Sequence, residues 1–279
     1  MKVIKGVVKT PRRVLLYGPH GIGKGTWASQ AQDAIFLDIE GGLDNIDCNR
    51  TERLGTIQQV DAVLNELLNE EHSFKTLVVD TIDWLEQLMH RKIAQDDNVK
   101  SVAEIGYGKG YARAIPMWQW IISQMEQLRT RKGMTIILLG HAKIERYESP
   151  ESESYDRYSP DLHKSSCSMI QEWCDEVLFA NFRVYTKKQN ETYRKRTVAV
   201  GGKERFIRTS ESAACLAKNR LNLPEELPME WSAFQTAVNE FYTTSKAAPA
   251  RSADVSGLVV NGSSRKVDAD LEAQAAEVF

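Results

Sequence analysis

Residues 18–26 read GPHGIGKGT and directly follow a short apolar run, VLLYG, at positions 14–18. An apolar strand, a glycine-rich turn and a helix start form an arrangement whose backbone N–H groups and helix dipole attract phosphate. The spacing satisfies G-x-x-x-x-G-K-[ST] at Gly18, Gly23 and Lys24. The position of the Mg²⁺-binding hydroxyl is, however, occupied by Gly25, and Thr26 follows one residue later. We predict a nucleotide-binding loop that comprises Gly18, Pro19, His20, Gly21, Ile22, Gly23, Lys24, Gly25 and Thr26.

Three further apolar segments end in polar residues. AIFLDIEGG (34–42) carries Glu40, FKTLVVDTIDWL (74–85) carries Asp80, and MTIILLGHAK (134–143) carries His141. Each apolar segment is expected to be a buried strand. Ligands of open parallel sheets bind at the carboxyl ends of the strands, so these side chains are expected to surround the loop.

Each of these polar side chains suits a part of ATP hydrolysis. We expect Lys24 to reach the terminal phosphates, and a carboxylate such as Glu40 can polarise an attacking water. His141 is placed to sense the γ-phosphate. An Asp that ends an apolar strand holds Mg²⁺ in sites of this kind, so Asp80 and Thr26 are the predicted metal ligands. The predicted cofactors are ATP and Mg²⁺.

The composition is that of a globular protein without a membrane span. The chain has 279 residues, 42% apolar and 27% charged, with a net charge of −2. No apolar stretch approaches the roughly 20 residues of a membrane helix, and the basic N-terminus lacks the apolar segment of a signal peptide. The four cysteines lack metal-type spacing and are interpreted as reduced thiols. A cytoplasmic protein without membrane contact is expected.

The chain divides into one domain and a tail. Apolar runs alternate with amphipathic segments up to about residue 242, a pattern that predicts an α/β fold with a mostly parallel, helix-covered sheet. One domain is therefore expected over residues 1–242. Residues 243–279 are rich in Ser, Ala, Gly and Pro and end in an acidic stretch, which predicts a flexible, disordered tail. Such a tail either increases solubility or docks a partner.

One glycine-rich segment, EIGYGKGYARA (104–114), has the composition of a nucleic-acid contact. Glycines favour a mobile loop, aromatic rings offer stacking faces for bases, and cations meet phosphates. The alternative is an ordinary flexible loop whose tyrosines pack on the domain. The candidate DNA contacts in this segment are Tyr107, Lys109, Tyr111 and Arg113. Residues 144–166 predict a second long loop without regular structure, which would become ordered on binding.

A basic segment follows at residues 182–209. It predicts C-terminal β-hairpin strands with turns at 189–190 and 201–202. Between positions 187 and 208 it holds eight basic and two acidic residues, which favours polyanion binding over a merely solvated strand face. Its candidate DNA contacts are Lys187, Lys188, Arg194, Lys195 and Arg196.

The order of these motifs resembles that of the RecA-like P-loop ATPases. The stretches GYGKGY, GHAK and AKNRLNLP are similar to those of phage-encoded members that act as single-strand annealing proteins. The resemblance covers about residues 12–230. It implies that Glu40 is the general base, and that single-stranded DNA is bound during annealing or pairing in phage recombination. Separately from this resemblance, the acidic tail is suited to docking a partner such as a single-strand-binding protein or another recombination protein.

The same resemblance implies a homo-oligomer. CLAKNRLNLPEEL (215–227) looks like a RecA segment whose basic residues reach the ATP of the neighbouring subunit. Lys218 and Arg220 occupy those positions, so full hydrolysis would require a ring or filament. The expected activity is a DNA-dependent ATPase, slow because Gly25 lacks the hydroxyl.

Two alternatives remain open at this point. The sequence GKGT, in which Gly follows Lys and Thr comes next, is found in adenylate-kinase-like enzymes and favours a nucleoside phosphate kinase. The weak Mg²⁺ position at Gly25 favours a DNA-coating filament protein in which nucleotide acts only as an assembly switch.

Overall fold

The computed structural model describes residues 3–150, 153–191 and 194–247, with side chains described for all of these except 185–191, 194–201 and 245–247. The strands are β1 (Arg13–Gly18), β2 (Ala34–Asp38), β3 (Asn49–Arg50), β4 (Thr76–Asp80), β5 (Thr135–Tyr147), β6 (Tyr155–Pro160), β7 (Glu176–Glu191), β8 (Arg194–Arg208), β9 (Lys218–Asn219) and β10 (Glu226–Pro228). The helices are α1 (Lys24–Ser29), α2 (Ile57–Asn69), α3 (Ile82–Asp96), α4 (Lys109–Ala112), α5 (Ala114–Arg131), α6 (Lys164–Trp173) and α7 (Trp231–Ala247), with a 3₁₀ turn at Val102–Glu104.

Eight of the ten strands follow one another in the sheet in the order β10-β8-β7-β1-β5-β4-β2-β3, while β6 pairs with β5 and β9 pairs with β7. The five neighbouring pairs from β7 to β3 are all parallel, while β8 and β10 are antiparallel additions at one side. The predicted α/β fold with a mostly parallel sheet and a C-terminal hairpin is therefore confirmed. The register aligns Gly18 with His141 and Asp38 with Asp80, so the predicted strand tips lie along one edge of the sheet.

Helices cover both faces of the sheet because the strands are apolar on both sides. On one face, Leu15 and Leu138 pack with residues of α2, α3, α5 and α6, among which Trp118 is fully buried. On the other face, Leu16 and Leu139 pack with α1 and α7. None of the helices in the described ranges combines the length and apolar character that crossing a membrane requires.

Two hairpins differ from the sequence predictions. The prediction of an irregular loop at 144–166 was wrong, because β5 continues to Tyr147 and pairs with β6 in an antiparallel arm. The β7–β8 hairpin was predicted, but its pairing extends to Glu191 opposite Arg194, so the chain reverses beyond 189–190. The glycines at 201–202 lie inside β8, next to a register shift at Phe182/Val184, and form no turn.

Only the first five residues of the predicted tail, 243–247, are described by the structure. Residues 243–247 continue α7, which begins at Trp231 and ends at Ala247. Residues 248–279, the greater part of the predicted disordered tail, lie outside the described residues.

Candidate active site

The glycine-rich loop connects β1 to α1 at the carboxyl edge of the sheet. Gly21 and Gly23 have φ angles of 71° and 100°, values that residues with a Cβ rarely adopt. The first hydrogen bond of α1 runs from Trp27 N to Gly23 O at 2.9 Å. The N–H groups before Trp27 therefore have no partner within the helix, as an anion-binding helix start requires.

Lys24 lies over this loop and is only 7% exposed. Its Nζ donates to the carbonyl oxygens of Gly18 and Pro19, both at 3.2 Å. Burial lowers the pKa of Lys24, while the nearby Asp80 and Glu40 carboxylates act in the opposite direction. Two neutral carbonyls are weak partners for a buried ammonium, so phosphate oxygens would bind it more strongly.

The structure gives a physical reason for Gly25. A Cβ at this position would lie 2.8 Å from Cδ1 of Ile46 and 3.6 Å from Cδ2 of Leu43. The segment after β2 thus packs against α1 where a serine or threonine side chain would stand. Thr26 is exposed and lines the same cavity as Asp80, which keeps it available as a metal ligand.

Backbone hydrogen bonds fix the position of Glu40. The carbonyl oxygen of Asp80 accepts from Ile39 N at 3.0 Å and from Glu40 N at 3.1 Å. The carboxylate of Asp38 accepts from Gly41 N at 2.7 Å and closes a turn directly after β2. The side chain of Glu40 therefore leaves the sheet edge beside Asp80.

The carboxylate of Asp80 is only 8% exposed. Burial, with the neighbouring Glu40 and Asp38 carboxylates, raises the pKa of Asp80 to about 7, although Lys24 opposes the change. A cavity edge with more carboxylates than nearby cations favours a divalent ion, and hard oxygen donors are the ligands that Mg²⁺ prefers. The residues present therefore fit the predicted Mg²⁺ site at Asp80 and Thr26.

His141 is oriented by a residue that the sequence did not identify as functional. Asp83, in the first turn of α3, accepts from His141 N at 3.0 Å and from Nδ1 at 2.8 Å. These bonds from His141 lower the pKa of Asp83 even though burial acts to raise it. With Nδ1 bonded to Asp83, the other ring nitrogen, Nε2, faces the cavity and lies 3.8 Å from Oε1 of Glu40.

His20 completes this side of the site. Its exposed ring stacks on that of His141, with centroids 3.7 Å apart. Ligand atoms of His20, Glu40 and His141 all lie within 4.8 Å of one another, so this trio is a second donor set for a divalent ion.

One cavity of about 420 Å³ brings the four predicted motifs together. Its volume falls in the range of small-molecule sites. The lining residues are His20, Gly21, Gly23, Lys24, Gly25, Thr26, Glu40, Gly42, Ile46, Asp80, Thr81 and His141. The arrangement can hold a phosphate chain, a cation and a polarised water close together.

The structure places Lys218 and Arg220 away from this cavity, next to the end of α6. The Lys218 ammonium donates to the carbonyl oxygens of Gln171, Glu172 and Cys174 at 2.6, 3.0 and 2.7 Å. It therefore caps α6 within its own chain. The side chain of Arg220 is half exposed and contacts Asp175 at 3.3 Å.

The 104–114 segment is more ordered than its three glycines predicted. It contains the end of the 3₁₀ turn and helix α4. Gly110 permits close packing, since a Cβ there would lie 2.4 Å from the carbonyl oxygen of Val102. The ring of Tyr111 stacks on His163 at 4.8 Å, so the predicted stacking of Tyr111 on a base is not available in this arrangement.

The other predicted DNA contacts of this segment lie at the surface. Tyr107 is fully exposed, and Lys109 begins α4 with an exposed side chain. Arg113 forms an ion pair with Asp97 at 2.5 Å. Tyr107 is thus the aromatic ring of the segment that is free to stack.

The backbone of the basic hairpin is described, but several of its predicted contacts are not. Lys187, Lys188, Arg194, Lys195 and Arg196 lie in β7 and β8, and their side chains fall outside the described residues. At the base of the same hairpin, Arg205 contacts the phosphate loop, a position that sequence reasoning missed.

A family model described as "AAA domain" matches residues 10–221, which is most of the chain. Among solved structures, the crystal structure of the RadB recombinase is similar to this chain with a TM-score of 0.39 and 13% sequence identity. That match covers 68% of this chain and 87% of the RadB chain. No curated protein sequence matches this chain.

The raised pKa of Asp80 predicts a pH dependence of stability in nucleotide-free protein treated with a chelator. Between an unfolded pKa of about 3.9 and a folded pKa of about 7, the folded protein holds a proton that the unfolded chain has lost. The stabilisation from this proton is lost as pH rises through about 7. Urea unfolding from pH 5 to 8 should show wild type losing stability relative to Asp80→Asn. The exposed Asp44→Asn is the control, and a constant difference would contradict the assignment.

The capping role of Lys218 predicts a loss of stability in Lys218→Met. This change keeps the aliphatic stem and removes the donor of three carbonyl groups, which costs about 1–3 kcal/mol in the free energy of unfolding. Lys75→Met, at an exposed position, is the matched control. If both variants unfold at the same urea concentration, Lys218 does not stabilise α6.

Proposed function

The chain belongs to the AAA domain family, and from that premise we propose a DNA-dependent ATPase that promotes single-strand annealing or pairing in phage homologous recombination. Membership of this family supports a P-loop ATPase that binds nucleotide. Binding of single-stranded DNA, annealing and a cytoplasmic location in the infected cell are our proposals. We also propose that ATP turnover is slow, because Gly25 lacks the metal-binding hydroxyl.

The observation that carries the proposal is the meeting of Lys24, Glu40, Asp80 and His141 in one cavity. These residues come from four separate segments of the sequence. A phosphate loop without a nearby base or metal ligand would support binding alone. The addition of an acid pair and an oriented imidazole supports hydrolysis.

We assign each side chain one role. Lys24 exchanges the carbonyls of Gly18 and Pro19 for phosphate oxygens and neutralises charge on the terminal phosphates. Glu40 accepts a proton from the attacking water, and His141, held by Asp83, offers Nε2 toward the same space. Asp80 and Thr26 would hold Mg²⁺, which would supply positive charge against the phosphates.

The proposed homo-oligomer depends on the 215–227 segment. Arg220, with its half-exposed side chain, is the leading candidate to act on the ATP of a neighbouring subunit. Lys218 would have to release three carbonyls of α6 to do the same. We propose a ring or filament in which Arg220 completes the neighbouring site.

The proposed single-stranded DNA surface consists of the 104–114 segment and the basic hairpin. The exposed ring of Tyr107 supports base stacking, and the excess of cations between 187 and 208 supports phosphate contact. The tail remains our proposed contact for a single-strand-binding protein or another recombination protein.

The packing of Ile46 against Gly25 favours one alternative. A side chain at position 25 would have to displace the end of the Ile46 side chain, so the loop is packed without the usual metal-binding hydroxyl, and nucleotide acting only as an assembly switch in a DNA-coating filament is our second candidate. The sequence GKGT at residues 23–26 supports the third candidate, a nucleoside phosphate kinase. The family match favours the ATPase over that kinase.

ATP turnover measured with and without single-stranded DNA tests the proposed function. Turnover per subunit should rise with DNA and with protein concentration, because a neighbour completes the site. Lys24→Ala should abolish turnover and keep the wild-type unfolding midpoint, while Lys75→Ala, at an exposed position, should leave turnover unchanged.

Three results would contradict parts of this proposal. Turnover independent of DNA and concentration would favour a monomeric enzyme such as the kinase. Unchanged turnover in Lys24→Ala would remove the site assignment. Bound ATP without turnover, together with filaments, would favour the assembly switch.

A further inference from the structure

The two flanks of the phosphate loop carry different chemistry. On the β5 side lie His141 and, one strand further, Asp80. On the β7–β8 side lies Arg205, whose Nη1 donates to the carbonyl oxygen of Ile22 at 3.1 Å. The acid and imidazole groups therefore face one end of a bound phosphate chain, and a guanidinium faces the other flank of the loop.

Gly23 allows Arg205 to lie directly on the loop. A Cβ at Gly23 would stand 2.6 Å from Nη1 of Arg205, and the φ angle of Gly23 is +100°. The guanidinium has five N–H donors, of which the bond to Ile22 uses one. Within the described part of the chain, Arg205 forms no ion pair with a carboxylate, so the charge is open to a ligand.

Arg205 also borders a second cavity, of about 540 Å³. Its walls come from β8, from residues 226–230 and from Arg183 of β7, and they combine apolar side chains such as Phe206 and Met229 with several charged ones. Small-molecule sites of roughly 300–1,000 Å³ combine apolar surface with a few polar groups. This cavity therefore has the size and the mixed lining that a ribose and a base require.

The direction of the nucleotide follows from the first cavity. Glu40 and His141 mark the position of the terminal phosphate, because the attacking water must lie beside them. A phosphate chain bound along the loop from that side would place the nucleoside end on the opposite flank. That flank is where Arg205 connects the loop to the second cavity.

We propose that the cavity between β8 and residues 226–230 binds the nucleoside end of the nucleotide, and that Arg205 contacts the ribose or stacks on the base at its entrance. This inference rests on the proposed ATPase function and deepens it. A planar guanidinium is suited to both contacts. The basic hairpin and the nucleotide would then meet at one residue, since β8 carries Arg205 and forms half of that hairpin.

Binding of three probes to the full chain tests this proposal: ATP, ADP and inorganic tripolyphosphate, each with Mg²⁺, by titration calorimetry. Arg205→Gln should weaken ATP and ADP about tenfold or more, the usual effect of losing a charged hydrogen bond. Its affinity for tripolyphosphate should stay within about twofold of wild type, because that probe has no nucleoside. KM for ATP should rise while kcat is retained. Arg205→Lys keeps the charge without the planar group and should still weaken ATP.

Arg91→Gln is the matched control, since Arg91 is exposed on α3 and lines neither cavity. Unchanged ATP affinity in Arg205→Gln would overturn the inference and leave the ATPase proposal standing. An equal loss for ATP and tripolyphosphate would show that Arg205 only shapes the loop, which also overturns it. A wild-type chain that binds none of the three probes would overturn the proposed function itself. Arg205 is exposed, so its substitution leaves the core intact, and thermal unfolding verifies this.

Discussion

The nucleotide site depends on the register between parallel strands at the centre of the sheet. Pairing of β1 with β5 sets Gly18 level with His141, and pairing of β2 with β4 sets Asp38 level with Asp80. A shift of one residue in either pair would turn alternate side chains to the other face and separate these groups. The apolar residues that fill both faces hold this register. The positions of the site residues at the sheet edge therefore depend on the packing of apolar side chains in the interior.

The charges at this edge are not balanced within the chain. Asp80 is buried beside Glu40 and Asp38, and the ammonium of Lys24 bonds to neutral carbonyls of the loop. Buried charges without full compensation cost folding free energy, and such departures from local rules are typical of functional sites. A bound cation and phosphate chain would remove both deficits. Burial together with this imbalance explains the raised pKa of Asp80, and the imbalance supports the affinity that we propose for Mg²⁺ and ATP.

The sequence predicted the strand tips because each motif is local. A short apolar run followed by Lys24, Glu40, Asp80 or His141 indicates a strand end without knowledge of the rest of the fold. Contacts between distant segments were missed. Asp83 orients His141 from 58 residues away, Ile46 fills the space beside Gly25, and Arg205 reaches Ile22 from 183 residues away.

Predictions from composition were wrong for two segments. The three glycines of 104–114 suggested mobility, but Gly110 is needed for a close contact with the Val102 carbonyl. The polar residues between 144 and 166 suggested an irregular loop, yet they pair as an antiparallel arm that extends β5. Polar composition does not exclude a strand whose partner lies a few residues further along the chain. For Lys218, the resemblance suggested an intersubunit role, while its hydrogen bonds show a cap on α6.

The most direct test of the central claim, that this cavity hydrolyses ATP, is turnover and ATP affinity in Glu40→Gln. The amide keeps the size of the side chain and cannot accept the proton of the attacking water. Turnover should fall about 100-fold or more while ATP affinity stays within a few-fold of wild type. Glu52→Gln, at an exposed position, is the matched control and should behave as wild type. Turnover of Glu40→Gln equal to that of the control would contradict the account.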